Sequence, residues 1–237
     1  MMKKNSIFRY ITDLLFPNRC PCCNKFISWN KLICDNCIAK FPEVKVPICI
    51  KCGKADCICN TKPQYDYCIV ATYYDGIIKN GIVNFKLKNG VNFAEYFSKK
   101  LVNLLNKNNL SDSIDIITAV PMTRQKRIER GYNQSEVLAK YISRSLNKPL
   151  ANNIIKKKNK KLTQHKLTYL ERKEFVKGSF IADKAYDLKG KTVLLCDDVI
   201  TSGATLNECA KMLKKLGANR VICAVISSTN KKYNNEL

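Results

Sequence analysis

The sequence predicts an α/β protein in which a small cysteine-rich module precedes a domain built on a parallel β-sheet. From about residue 65, short apolar runs alternate with segments of helical periodicity, as in β-α-β units with right-handed crossovers. Before that region the cysteines are concentrated, since ten of the thirteen lie between Cys20 and Cys68. We therefore expect two parts, residues 1–62 and residues 63–237.

The elements of the larger part follow from the period of their apolar residues. Strands are predicted at 67–74, 114–120, 192–196 and 220–226. Helices are predicted at 93–105, 135–146 and 206–217. We expect the helices to cover both faces of the sheet, as is usual when all strands are parallel. A further helix is predicted before the first cysteine, where Ile7, Phe8, Ile11, Leu14 and Leu15 share one face.

The cysteine-rich module is predicted to bind two structural Zn²⁺ ions. Its cysteines form four pairs, and three pairs have the C-x2-C spacing that directs two thiolates at one ion. Four thiolates suit tetrahedral Zn²⁺ and leave no position for a catalytic water. The predicted ligands are Cys20, Cys23, Cys34 and Cys37 for one ion, and Cys49, Cys52, Cys57 and Cys59 for the other. Cys22 and Cys68 are alternative ligands.

The net charge of +23 favours a phosphate-rich partner, because clustered Lys and Arg attract polyanions. A coding bias toward Lys and Asn would give the same net charge, so local clusters of Lys and Arg are better evidence for such a partner than the total. Residues 156–177 carry nine Lys or Arg and two Glu, a net charge of +7. We expect the surrounding segment, 154–178, to cover a bound pyrophosphate or to line a groove for single-stranded DNA.

The sequence predicts a cytoplasmic protein without a membrane span. Arg9, Thr12 and Asp13 interrupt the apolar residues near the start before they reach the length of a signal peptide. No stretch approaches the ~20 apolar residues of a membrane helix. In a reducing compartment, paired cysteines are metal ligands more often than disulfides. A G-x4-G-K-[ST] phosphate loop is also absent from the sequence, which excludes the common type of ATP-driven motor.

The most informative stretch is VLLCDDVITSGATL, residues 193–206. A predicted strand leads into Asp197 and Asp198, then into a polar loop and a helix, at the end of the sheet where ligands bind. The loop residues are Thr201, Ser202, Gly203, Ala204 and Thr205. Backbone N–H groups at a helix start bind phosphate without a basic side chain, and carboxylates accept hydrogen bonds from sugar hydroxyls. The stretch therefore predicts a sugar-phosphate site; a Mg²⁺ site on the acids alone is the alternative.

This stretch resembles the phosphoribosyl pyrophosphate motif of phosphoribosyltransferases, and residues 17–228 are similar to the ComF family. The likeness extends to YYDG (73–76), FKLKNG (85–90), AVPMTRQKRIERGYNQS (119–135) and ERKEFVKGSF (171–180). The resemblance implies a double zinc ribbon joined to a Rossmann-like domain of the phosphoribosyltransferase type, and a part in natural DNA uptake by bacteria. The chain departs from the family pattern at Ala119, at Phe175 and in the C-x-C spacing of Cys57 and Cys59.

The resemblance also implies a ligand and roles for individual residues. Phosphoribosyl pyrophosphate would bind with Mg²⁺, its 5′-phosphate in the 201–205 loop and its ribose on the candidate catalytic residues Asp197 and Asp198. The pyrophosphate is assigned to cations of two loops, Lys86, Lys88, Arg124, Arg127 and Arg130. Expected partners are single-stranded DNA and DNA-uptake machinery such as a helicase. The alternatives are a salvage or biosynthetic phosphoribosyltransferase and a non-catalytic DNA-binding scaffold.

Overall fold

The centre of the molecule is a parallel β-sheet. The computed structural model describes residues 17–42, 48–55, 57, 59, 62–87, 90–158 and 176–229, so the helix predicted near residue 10 lies outside it. The sheet strands are β1 Tyr67–Tyr73, β2 Ile116–Ala119, β5 Thr192–Ile200 and β6 Arg220–Ser228. Their order is β1-β6-β5-β2, and all neighbours are parallel. Two short antiparallel strands form a separate hairpin, β3 Ile155–Lys157 and β4 Phe180–Ala182.

Helices cover both faces of this sheet, as predicted. They are α1 Asp35–Ile38, α2 Gly76–Leu87, α3 Val91–Lys107, α4 Arg124–Arg130, α5 Gln134–Leu146 and α6 Ala204–Lys215. On one face, α2, α3 and α5 bury side chains such as Ile82, Phe93 and Ile142 in one cluster with the strands. On the other face, α6 and the β3–β4 hairpin pack in a second cluster that includes Cys209 and Val225.

The cysteine-rich module contacts both faces of the sheet beside the edge strand β1. Cys20 and Cys37 belong to the cluster that holds α2 and α3. Ile48, next to the second group of cysteines, packs against the cluster that holds α6. The module therefore shares its core with the larger part of the chain. The boundary at residue 62 remains a prediction.

Strand β5 is longer than predicted. Its predicted end was residue 196, before the two acids, but β6 continues to pair with β5 from Asp197 opposite Val225 to Ile200 opposite Ser228. Two adjacent charged residues are typical of the end of a buried strand, but the pairing with β6 continues past both acids, so they lie within β5. Helix α4 was not predicted because no residue of it is buried, which leaves no apolar period to detect. No helix in the described ranges is long and apolar enough to span a bilayer.

Candidate functional site

The two acids of the predicted site lie just beyond the point where the neighbouring strand β2 stops. Ala119 ends β2 and is in register with Cys196, whereas β6 still pairs with β5 on the other side. Asp197 and Asp198 therefore lie beside an opening at the carboxyl end of the sheet. This is the position at which parallel sheets bind ligands.

Asp197 is held in place by hydrogen bonds from two directions. Its Oδ1 accepts a hydrogen bond from the Ser135 hydroxyl at 2.9 Å and another from the backbone N–H of Asp198 at 2.9 Å. The residue is buried, with 8% of its surface exposed. Burial and the charge of Asp198 raise the pKa of Asp197 to about 7, while the two hydrogen bonds and Lys86 act in the opposite direction. In the ligand-free protein the carboxyl therefore titrates near neutral pH.

Asp198 pairs with Lys86, whose Nζ lies 3.1 Å from the Asp198 Oδ2. Lys86 was predicted to lie in a loop, but it belongs to the last turn of α2. The end of this helix is fastened to the start of α5, because the Tyr132 hydroxyl and the Gln134 side-chain amide both donate to the Phe85 carbonyl. Helix α2 has a buried, apolar side and extends to Leu87. It thereby brings Lys86, one of the predicted pyrophosphate cations, to the acid pair.

The predicted phosphate loop leads from β5 directly into α6. Gly203 is the N-cap of the helix, and its φ of +78° lies in the left-handed region that favours glycine. The Ser202 hydroxyl accepts a hydrogen bond from the Ala204 N–H at 3.3 Å. Within the described part of the chain, no group accepts a hydrogen bond from the backbone N–H of Ser202, Gly203 or Thr205. Thr201 is exposed, so the loop offers amides and hydroxyls beside a helix start.

The predicted pyrophosphate arginines lie on α4, the short helix that follows β2. They are Arg124, Arg127 and Arg130. Two of them are tied to the next helix, since Arg127 pairs with Glu136 and Arg130 donates to the Gln134 side-chain oxygen at 3.2 Å. Arg124 is exposed. Lys88 lies outside the described residues, and its role remains a prediction.

Lys157, on the β3–β4 hairpin, is a further cation of this region. It is half-buried, and its Nζ lies 5.2 Å from the centre of the Phe180 ring. Burial lowers the pKa of Lys157, as does the charge of Lys126, whereas the charge of Asp197 raises it. The segment predicted to cover the site begins with this strand, but residues 159–175 lie outside the described part.

The first cysteine tetrad is assembled as predicted. The four sulfur atoms of Cys20, Cys23, Cys34 and Cys37 all lie within 4.8 Å of one another. The Cys23 and Cys34 sulfurs are 3.8 Å apart, close to the separation of about 3.8 Å that two 2.3 Å Zn–S bonds give at a tetrahedral angle. Cys22 is buried outside the tetrad, so this alternative ligand is not needed.

The second tetrad is also assembled from the predicted residues. The sulfurs of Cys49, Cys52, Cys57 and Cys59 lie within 4.8 Å of one another. Cys68, the other alternative ligand, lies in β1 under the turn that joins Cys49 and Cys52. A Cβ built on Gly53 of that turn would lie only 2.5 Å from the Cys68 sulfur, so the two segments are closely packed. Both tetrads have the four-thiolate donor set of structural zinc sites, and the sulfurs of the second lie closer together than those of the first, with Cys57 and Cys59 2.7 Å apart.

Comparison with known proteins finds the same two parts in the same order. A double zinc ribbon model matches residues 11–69, and a phosphoribosyl transferase domain model matches residues 132–236. Competence protein F of Haemophilus influenzae is 29% identical over 221 residues, which cover 87% of this chain and 95% of that protein. Competence protein ComFC of Bacillus subtilis is 25% identical over 78% of this chain and 79% of its own length. The chain is similar to these competence proteins along most of its length, in agreement with the resemblance to the ComF family.

The two domain models and the parallel sheet confirm the predicted fold class, a phosphoribosyltransferase-type α/β domain with a double zinc ribbon before it. The DNA utilization protein YhgH of Escherichia coli K12 is 32% identical over 45% of this chain and 46% of its own length. Among solved structures, a purine phosphoribosyltransferase from Pyrococcus horikoshii aligns with 57% of this chain and 84% of its own. Its identity is 21% and its TM-score 0.34, and so distant a likeness carries no argument about function.

Two contributors to the site were not found from the sequence. Ser135 lies 62 residues from Asp197, and only the packing of α5 against β5 brings its hydroxyl to the carboxylate. Lys157 was counted within a basic run and not distinguished from its neighbours. The polar stretch before α5 does carry a signal, because asparagine is a favoured N-cap residue, and the Asn133 side chain accepts a hydrogen bond from the Ser135 N–H.

Proposed function

We propose that this protein binds phosphoribosyl pyrophosphate with Mg²⁺ and takes part in natural transformation by handling incoming single-stranded DNA in the cytoplasm. One observation carries the first half of this proposal. Two carboxylates at the end of β5 and an amide-lined loop at the start of α6 are separated by only Val199 and Ile200. The carboxylates suit the ribose hydroxyls, and the loop suits the 5′-phosphate. The similarity to competence proteins of Haemophilus influenzae and Bacillus subtilis supports the second half.

The residues around the acid pair suit the rest of the ligand. Mg²⁺ would supply positive charge that neutralises the pyrophosphate. Lys86, now paired with Asp198, would move from this carboxylate to the pyrophosphate when the ribose hydroxyls take its place. Ser135 and the Asp198 N–H orient the Asp197 carboxylate before the ligand arrives, so little ordering remains to be done on binding.

Removal of both carboxylates is expected to abolish this binding. In calorimetry with phosphoribosyl pyrophosphate and Mg²⁺, the variant Asp197→Ala/Asp198→Ala should bind at least about 100-fold more weakly, because hydrogen bonds to charged groups contribute about 1.5–3 kcal/mol each. Asp112→Asn is the matched control, an exposed acid near the amino end of β2, and it should bind like the native protein. Absence of binding by the native protein would refute the proposal and favour the DNA-binding scaffold.

The first zinc ribbon carries the features expected of a surface for single-stranded DNA. Phe26 and Trp29 are 66% and 57% exposed, although aromatic side chains of this size are usually covered. The Arg19 guanidinium lies over the Phe26 ring at 3.9 Å, and Lys25 next to it is exposed. Exposed rings among cations suit nucleic acid, because bases stack on the rings and phosphates pair with the charges.

Loss of these two rings is expected to weaken DNA binding. The variant Phe26→Ala/Trp29→Ala should bind an oligodeoxythymidine at least about tenfold more weakly, because base stacking contributes about 1–3 kcal/mol per base. Fluorescence anisotropy at several salt concentrations measures this affinity. Val83→Ala, which shortens an exposed apolar side chain of α2, is the control. An unchanged affinity in the ring variant would exclude this surface.

A further inference from the structure

Tyr65 lies between the second cysteine tetrad and the phosphate loop. The side chain is buried, with 5% exposed, and its hydroxyl donates to the backbone carbonyl of Cys52 at 3.1 Å. On the other side, a Cβ built on Gly203 would lie 3.4 Å from the same hydroxyl oxygen. The hydroxyl thus bonds to a metal-binding turn on one side and lies beside the N-cap of α6 on the other.

The chain around Tyr65 is fastened to both of these neighbours. The Cys68 N–H donates to the Ile50 carbonyl at 2.7 Å, which ties the turn of the second tetrad to the start of β1. The Gln64 N–H donates to the Asn207 side-chain oxygen at 2.8 Å, within the first turns of α6. A displacement of the metal-binding turn would therefore reach the start of α6 through residues 64 and 65.

The first tetrad has no such path to the loop among the described contacts. It lies on the opposite face of the sheet, where the Asn84 amide donates to the Pro21 carbonyl at 2.8 Å. It is also the more enclosed of the two, since Cys20 and Cys37 are each only 1% exposed, whereas Cys59 of the second tetrad is exposed. We expect a chelator to remove metal from the second tetrad before the first.

We infer that metal loading of the second tetrad orders the 201–205 loop through Tyr65, and so controls the affinity of the protein for phosphoribosyl pyrophosphate. The effect on affinity rests on the proposed function; the ordering of the loop does not. The four clustered thiolates fit the ion, and a module this small depends on metal for its folding. Without metal, the Cys52 carbonyl is no longer held, and the Tyr65 hydroxyl loses its acceptor beside Gly203. Tyr65 is a positioning residue.

Two substitutions test the affinity. Tyr65→Phe removes only the hydroxyl, so it should keep two zinc ions per chain and weaken binding of phosphoribosyl pyrophosphate about fivefold, the effect of one neutral hydrogen bond. Cys59→Ser should lose one zinc ion and weaken binding at least as much. The double variant should bind no more weakly than Cys59→Ser, because both changes break the same connection. Tyr141→Phe, a half-buried tyrosine of α5, is the control and should bind like the native protein.

Hydrogen exchange of the peptide that covers residues 198–206 tests the connection without any ligand. Tyr65→Phe and Cys59→Ser should each speed exchange of the loop amides, while exchange in β6 stays slow and shows that the fold is intact. Unchanged loop exchange in both variants would overturn the inference. If the native protein does not bind phosphoribosyl pyrophosphate, the proposed function fails, but the exchange rates still decide whether the second tetrad orders the loop.

Discussion

The variant Cys37→Ala is expected to lose one of two zinc ions and to be the least stable single variant considered for this protein. Zinc binding to four-ligand peptides contributes about 10–16 kcal/mol at neutral pH, and nearly all of it is folding free energy. The first ribbon also packs against the sheet domain. Phe41, which follows the last ligand, lies 5.7 Å from the ring of Tyr96 and 5.9 Å from that of Phe97 between ring centres. Loss of the ribbon would expose this side of α3 to water.

Metal analysis and thermal unfolding together measure this effect. Cys22→Ala is the matched control, because Cys22 is a buried cysteine of the same ribbon that lies outside the tetrad. It should keep both ions and lower the free energy of unfolding by only about 1 kcal/mol, the cost of a small cavity. Loss of zinc from Cys22→Ala but not from Cys37→Ala would show that the ligand assignment is wrong.

The parts of the molecule that were predicted correctly are those encoded by neighbouring residues. The cysteine pairs are recognisable as metal ligands because their members are two or three residues apart. The acid pair is followed within eight residues by the whole loop from Thr201 to Thr205. Both tetrads and the strand-loop-helix order agree with the prediction. In each case the geometry depends on a turn whose conformation is local.

The parts that were not predicted depend on contacts between distant segments. The ion pair of Lys86 with Asp198 and the proximity of Tyr65 to Gly203 bring together residues more than 100 positions apart. The period of apolar residues along the sequence does not predict such pairs, because each of these residues by itself looks like an ordinary helix or linker residue. The division of the two tetrads between opposite faces of the sheet has the same origin, since it follows from how the module packs and not from its cysteine spacing.

The variant Asp197→Asn is expected to be more stable than the native protein above pH 7 when no ligand is present. The pKa of Asp197 is raised from 3.8 to about 7, chiefly by burial. Between these two values the native state holds a proton that the unfolded state has released. The stability contributed by the protonated carboxyl is therefore complete below about pH 4 and is lost as the pH rises through about 7. Over this range the loss amounts to about 4 kcal/mol, at about 1.4 kcal/mol per pH unit.

An asparagine has no charge to bury, and its side-chain oxygen still accepts the Ser135 hydroxyl and the Asp198 N–H. Urea unfolding at pH 5 and pH 8 should therefore show a gain for Asp197→Asn that is about 3 kcal/mol larger at pH 8 than at pH 5. Asp112→Asn, the exposed control, should show no such change with pH. A gain of equal size at both pH values would mean that burial of the charge is not its cause. If the stabilised variant also binds phosphoribosyl pyrophosphate weakly, the buried charge destabilises the free protein and serves the ligand, as residues of binding sites often do.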